Sequence, residues 1–455
     1  MHSEPLRLAS DLARSWLATL DGRPVGVPVE PAVLRERLGA PLAAAGEDPA
    51  KVVEDLAAAL EPGLVAIPGP RYFGFVNGGT LPAALAADWL VSAFDQNTAA
   101  YVMSPGMAVL EQVAGEWVLD LLGLPAGCGV GFVTGGQMAN FSGLAAARHA
   151  LLAGAGWDVE ADGLYGAPEF TVLIGEQAHT TIPAALRMLG LGATRVRRIP
   201  ADGQGRMLAG DLAQALAAVK GPALVCAQAG EVNTGAFDPL RQIGEAVRAH
   251  GQAWLHVDGA FGLWAAASPR LRALADGMWL ADSWATDAHK WLNVPYDCGL
   301  AIVRDPAALT GALSLSAAYL PADGSRDPYA FTPEASRRAR AVPVYAALRS
   351  LGSQGVAELV ERCCALARLA AAELASCPGV EILNEVVLNQ VLFRVPGDTA
   401  AVIEAVQRDG TCWLGGTTWR GTPAVRFSVS NWSTTEADIR RSVAAIAAAA
   451  GPARG

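Results

Sequence analysis

AWLHVDGAFG, residues 253–262, is a short apolar run that ends on a carboxylate and then a glycine turn. Five stretches like it flank it: GVGFVTGG (129–136), TVLIG (171–175), ALVCAQAG (223–230), SWATDAHK (283–290) and CGLAIV (298–303). Each run is four to eight residues long and rich in Val, Ile or Leu, and most end in Gly, Asp or Thr. Helical segments separate them. Runs of this kind are buried strands of a mainly parallel sheet joined by helical crossovers, an α/β architecture. In such sheets ligands bind beyond the carboxyl ends of the strands, where the polar residues collect here.

Outward from this core the pattern changes on both sides. The first ~60 residues read as helical, with a break at VGVPVEP and an amphipathic helix over KVVEDLAAALEPG that stops at Pro62 and Gly63. PRYFGFVNGG near residue 70 is an aromatic, glycine-rich loop, and a long helix is expected from Met107 to Leu122. After Pro343 a helix leads to VEILN, LNQVLFRV, TCWLGGTTW and AVRFSVSN, with helices between and after them, a smaller α+β domain. The expected organisation is therefore residues 1–100 as helical segment and aromatic loop, 101–340 as a large domain, and 341–455 as a small C-terminal domain.

Composition narrows the function classes. The 455 residues are 52% hydrophobic and carry a net charge of −10, which argues against a nucleic-acid or anionic-membrane surface. No apolar run is long enough to span a bilayer, and the N-terminus has no leader pattern, so a cytoplasmic protein is expected. The seven cysteines are scattered, without metal-ligand spacing or a disulfide framework. Only three lysines occur, Lys51, Lys220 and Lys290. Lysine-dependent covalent chemistry thus has three candidates.

Lys51 and Lys220 sit in solvated helical contexts, where an ammonium group stays protonated. Lys290 lies between two apolar runs, flanked by His289 and Trp291. Desolvation there would lower its pKa, as Schiff-base chemistry requires. In AWLHVDGAFG, His256 and Asp258 share a strand face, with Asp258 at the carboxyl end. A buried carboxylate needs a partner, and the pyridine nitrogen of pyridoxal 5′-phosphate would be one. Capping a turn or binding a metal are the other uses of an aspartate in that place. The Gly135-Gly136 turn opens a helix, so its free N–H groups and the helix dipole form a cup for a phosphate. His179, after the TVLIG run, could stack on a ring or move a proton, or serve as a structural histidine.

In this order the motifs resemble the fold-type I pyridoxal-phosphate decarboxylases that include the aromatic-amino-acid, glutamate and histidine enzymes (group II). The resemblance runs from PRYFGFVNGG to AVRFSVSNWSTTEADI, and DAHKW beside Asp297, Cys298 and Gly299 is its most specific part. It implies a seven-stranded-type sheet in the large domain and Lys290 as the Schiff-base lysine. It also implies Asp258 at the pyridine nitrogen, Ala260 under the ring and His179 over it. Gly135, Gly136, Gln137 and His289 would sit near the phosphate. Arg426 matches an arginine near the substrate carboxylate, though a surface ion pair is its other reading. Tyr72 and Phe73, with Phe75, would line a substrate pocket or belong to the core. Tyr329, or else Tyr319, fits the protonating tyrosine of a mobile loop.

The resemblance implies a homodimer that decarboxylates an L-amino acid, an aromatic one in the first instance, through the Lys290 Schiff base and a quinonoid intermediate. Two departures leave the reaction outcome open. Gln137 and Met138 stand where the family carries serine and glutamate, and Glu231-Val232 replaces a Thr-Thr pair. Aldehyde formation, transamination or carbon–carbon bond chemistry on the same scaffold, or a non-catalytic scaffold, are the alternatives.

Overall fold

The computed structural model describes residues 3–39, 41–315 and 326–451, which divide into two compact units. The larger comprises Thr80–Ala365 with Asn384–Gln390, and the smaller comprises Met1–Gly79 with Leu366–Leu383 and Val391–Gly455. These bounds differ from the three segments read along the sequence, because the two chain ends complete one unit together. The physical reason is backbone pairing across that distance. Val25 N–H donates to the Gly410 carbonyl at 2.8 Å, Phe73 N–H to Trp413 at 2.8 Å, and Trp413 N–H to Arg71 at 3.0 Å. The Arg71 guanidinium, 2% exposed, then donates to the carbonyls of Thr411 and Asp21 at 2.7 and 2.8 Å. Buried backbone groups must be paired, and here the partners come from opposite ends of the chain.

The larger unit is built on seven strands: β1 Gly129–Val133, β2 Thr171–Gly175, β3 Arg197–Ile199, β4 Ala223–Gln228, β5 Ala253–Asp258, β6 Ser283–Asp287 and β7 Gly299–Val303. Their order is β1-β7-β6-β5-β4-β2-β3. The pairs from β3 through β2, β4 and β5 to β6 are parallel, while β7 runs antiparallel to both β6 and β1. This is the mainly parallel α/β sheet that the six apolar runs announce. The seventh strand, β3, is three residues long and has two exposed arginines, so it carries no apolar run. As an edge strand it is paired on one side only, and its charges blunt the open edge.

β5 is the central strand and is buried in five of its six residues. The helix Gly136–Gly154 crosses this region and buries ten of its residues. Gly143 allows the close approach: a Cβ there would fall 2.8 Å from Cε1 of His256. The smaller unit has the helices Ser3–Leu17, Pro31–Leu38 and Pro49–Leu60, and the four-stranded sheet β10-β11-β9-β8. Its strands are β8 Glu381–Ile382, β9 Gln390–Arg394, β10 Gly415–Trp419 and β11 Thr422–Ser428. The closing helix Glu436–Ala450 starts at a Thr435/Asp438 capping box.

Candidate active site

Parallel strands end on one side of a sheet, and there the larger unit gathers its polar residues. Asp258 is the last residue of β5 and Asp287 the last of β6; His289 and Lys290 follow β6, and His179 follows β2. Gly135 and Gly136 follow β1, with Gly136 opening the helix Gly136–Gly154. Adjacent strand ends are tied together through Ala260. Its N–H donates to Asp258 Oδ1 at 3.2 Å, and its carbonyl accepts the Asp287 N–H at 2.8 Å.

Lys290 Nζ lies 3.2 Å from Asp287 Oδ2, with the lysine side chain 19% exposed and the aspartate 2%. Asp287 Oδ1 accepts the Gly136 N–H at 2.5 Å and lies 3.3 Å from His289 Nε2. The tautomer of His289 follows from its other nitrogen: Nδ1 accepts the Cys298 N–H at 3.1 Å, so the proton sits on Nε2. Burial lowers the pKa of this imidazole, against the pull of Asp287.

Asp258, 7% exposed, is held among the described residues by donors and not by a cation. Asn140 Nδ2 donates to Oδ2 at 3.0 Å and the Thr181 hydroxyl to the same oxygen at 3.5 Å. Behind Asn140 runs a chain of buried bonds with a determinate direction. Trp254 Nε1, which can only donate, bonds Ser283 Oγ at 2.8 Å; that hydroxyl donates to His256 Nδ1 at 2.8 Å. His256 Nε2–H then donates to Asn140 Oδ1 at 2.9 Å, which turns the Asn140 amide group toward Asp258. The relay needs a neutral His256, and burial depresses that imidazole to about 4. Thr181 also links His179 to the cluster, with its Oγ1 2.8 Å from His179 Nδ1.

The sequence reading passed over Asn140, Thr181, Ser283 and Asp287, which are ordinary residue types in ordinary settings. One signal was available for Asp287, a carboxylate three residues before the lysine and closing a strand. Gln137 reaches toward the Thr181 carbonyl at 3.5 Å, and Met138 packs against Val133, Ala139, Ala285 and Ala301. Glu231, 1% exposed, folds back on its own turn. Its carboxylate accepts the N–H groups of Asn233 and Thr234, both at 2.7 Å, while burial raises its pKa. The charge that replaces a hydroxyl here is spent inside the loop.

Tyr329 is fixed by its N–H to the Ala99 carbonyl at 2.9 Å; desolvation, then Asp327, pushes its hydroxyl pKa up. Tyr319 lies outside the described residues. Tyr72 and Phe73 belong to the smaller unit and are buried there. Tyr72 stacks on Trp413 at 4.9 Å and Phe73 on Phe427 at 3.9 Å, leaving Phe75 as the exposed aromatic of that loop. Arg426 is half-buried on β11 of the same unit.

The cluster suits pyridoxal 5′-phosphate. A buried carboxylate with three hydrogen-bond donors but no cation partner among the described residues is matched by a protonated ring nitrogen. A lysine at the next strand end supplies a primary amine, and the helix N-terminus at Gly136 supplies a phosphate seat.

Comparison with known proteins agrees. The pyridoxal-dependent decarboxylase conserved domain matches residues 31–396. An aromatic-L-amino-acid decarboxylase of Bacillus atrophaeus is 28% identical over 403 residues, covering 86% of this chain and 82% of the relative. An acidic amino acid decarboxylase of Mus musculus is 31% identical over 71% of this chain, which spans only 60% of that relative's length. The crystal structure of Oryza sativa TDC with PLP and tryptamine matches with a TM-score of 0.89 at 24% identity, covering 98% of this chain and 96% of that one. Mouse CSAD matches with 0.90 at 24% identity and 98% of both chains. With the domain match spanning most of its length, the chain belongs to the pyridoxal-dependent decarboxylase family, whose cofactor is pyridoxal 5′-phosphate.

Proposed function

We propose that this protein decarboxylates an L-amino acid to its amine, with an aromatic amino acid as the first substrate to test. One observation carries the reading: a lysine and a buried, cation-free carboxylate stand at the carboxyl ends of adjacent strands. The preference for an aromatic substrate rests on relatives named aromatic-L-amino-acid decarboxylase that align over 86% and 88% of the chain.

When bound, pyridoxal 5′-phosphate supplies the sink for the electron pair left behind as carbon dioxide departs. Lys290 Nζ would be the amine that holds the cofactor's aldehyde carbon. Asp258 would hold positive charge on the ring nitrogen and so deepen the sink. Asn140, Thr181 and the Ala260 N–H fix that carboxylate in place, so no reorganisation is needed as charge develops. His179 or Tyr329 returns a proton to the substrate Cα. The hydrogen bonds linking His179 through Thr181 to Asp258 favour His179.

The deciding experiment incubates the holoenzyme with aromatic and acidic L-amino acids and identifies every product. Amine and carbon dioxide in equal amounts are expected. Aldehyde with ammonia, or a keto acid without carbon dioxide, would move the assignment to another reaction on this scaffold.

We further propose that the protein works as a homodimer in the cytoplasm. No disulfide forms among the described residues, and no described helix is long and apolar enough to cross a membrane. Trp89, Leu90 and Phe94 on the helix Pro82–Phe94 and Val102 and Met103 in the turn Tyr101–Met103 are exposed, an apolar surface suited to a second copy. Sedimentation should give twice the chain mass of 47.0 kDa, and a single-chain mass at micromolar protein would reject the dimer.

A further inference from the structure

We propose that Asp287 is a built-in occupant of the phosphate cup, a carboxylate that the cofactor's phosphate must displace in order to load. The inference rests on the reading above that the phosphate seats at the Gly135-Gly136 turn. An incoming phosphate dianion would seek two groups there, the Gly136 N–H at the helix N-terminus and the His289 Nε2–H, close to the Lys290 side chain. All three already face one side chain. Asp287 Oδ1 takes the Gly136 N–H at 2.5 Å and stands 3.3 Å from His289 Nε2, while Oδ2 stands 3.2 Å from Lys290 Nζ.

The carboxylate is held there firmly. Asp287 is 2% exposed, and its backbone is pinned on both sides, by N–H to the Ala260 carbonyl at 2.8 Å and by its own carbonyl to Trp264 Nε1 at 3.0 Å. It can yield only by rotating its side chain. Space is as limited as charge. A Cβ on Gly136 would come within 2.7 Å of Asp287 Oδ2, and one on Gly135 within 2.9 Å of His289 Cε1. A phosphate and the carboxylate therefore cannot share the Gly136 N–H, and two anions side by side repel.

Two consequences follow for the cofactor-free protein. Asp287 caps the helix and pairs with the lysine, which offsets the cost of leaving either group unpartnered. Loading is also weakened, because apparent affinity falls by the fraction of molecules whose cup is open. An uncharged side chain of the same shape should remove that penalty.

The test is cofactor affinity of the apoprotein, free of phosphate buffer, for wild type, Asp287→Asn and Asp287→Ser. The two variants guard against one of them failing to fold. Absorbance titration reads binding of pyridoxal 5′-phosphate and of pyridoxal, which lacks the phosphate. Both variants are expected to bind pyridoxal 5′-phosphate about tenfold more tightly, while pyridoxal gains about threefold or less. Inorganic phosphate should raise the melting temperature of the variant apoproteins more than that of wild type. Equal or weaker cofactor binding by the variants, or an equal gain for pyridoxal, overturns the role of Asp287 and leaves the site reading standing. If the wild type forms no Lys290-dependent absorption band, the site reading falls, and this proposal with it.

Discussion

The Lys290→Ala protein is expected to lose amine formation by about a thousandfold or more and to lose the absorption band of lysine-bound cofactor. Lys51→Ala and Lys220→Ala should match the wild type in both respects. The contrast is sharp because the chain has only three lysines. Lys51 is exposed and ion-paired with Asp55 at 2.6 Å on the same helix, and Lys220 is exposed at the entry to β4. Among the described residues neither has a buried partner that could set up covalent chemistry. Lys290 stands in a cluster with the buried Asp287 and His289. Cofactor absorption together with a mass measurement after borohydride reduction checks the result. A reduced adduct of unchanged yield in Lys290→Ala would remove this lysine from the mechanism.

Asp258→Asn is expected to lower turnover by about a hundred- to a thousandfold while binding cofactor well enough to be isolated with it. Asparagine keeps the size of the side chain but cannot hold a positive charge on the ring nitrogen. A cofactor methylated at that nitrogen carries the charge permanently, so it should restore part of the activity of Asp258→Asn and do little for wild type. Rescue separates an electrostatic role from a merely structural one. If the methylated cofactor gives Asp258→Asn no advantage, Asp258 serves as a strand cap and not as the counter-ion. The bonds from Asn140, Thr181 and Ala260 support the charge role, since they stabilise the carboxylate without cancelling it.

The sheet was legible because buried parallel strands demand apolar runs, and six of the seven left one. β3 left none, as an edge strand of Arg-Arg-Ile needs little burial to be held. Lys290, Asp258 and His179 stood out for a different reason: each is a costly residue type at or just after the end of an apolar run. Asn140 and Ser283 act on the site through other side chains, and nothing in a linear pattern marks a residue whose partner lies over a hundred positions away, as His256 does for Asn140. The same limit hid the pairing of the two chain ends. It also left two uses open for Tyr72 and Phe73, a substrate pocket or the core; their rings stack on Trp413 and Phe427 in the smaller unit.

That pairing bears on how the protein is made. The larger unit has most of its chain, residues 80–365, in one continuous piece, whereas the smaller draws on residues 1–79 and on residues after 365. A ribosome emits roughly 5 to 20 residues per second, so the first segment waits on the order of 15 to 60 seconds for its complement. During that interval Tyr72, Phe73 and the Arg71 guanidinium have no Trp413, Phe427 or Thr411 to meet. Residues 1–79 are thus made before the larger unit but become native only after it, and for that interval their apolar side chains are open to chaperones.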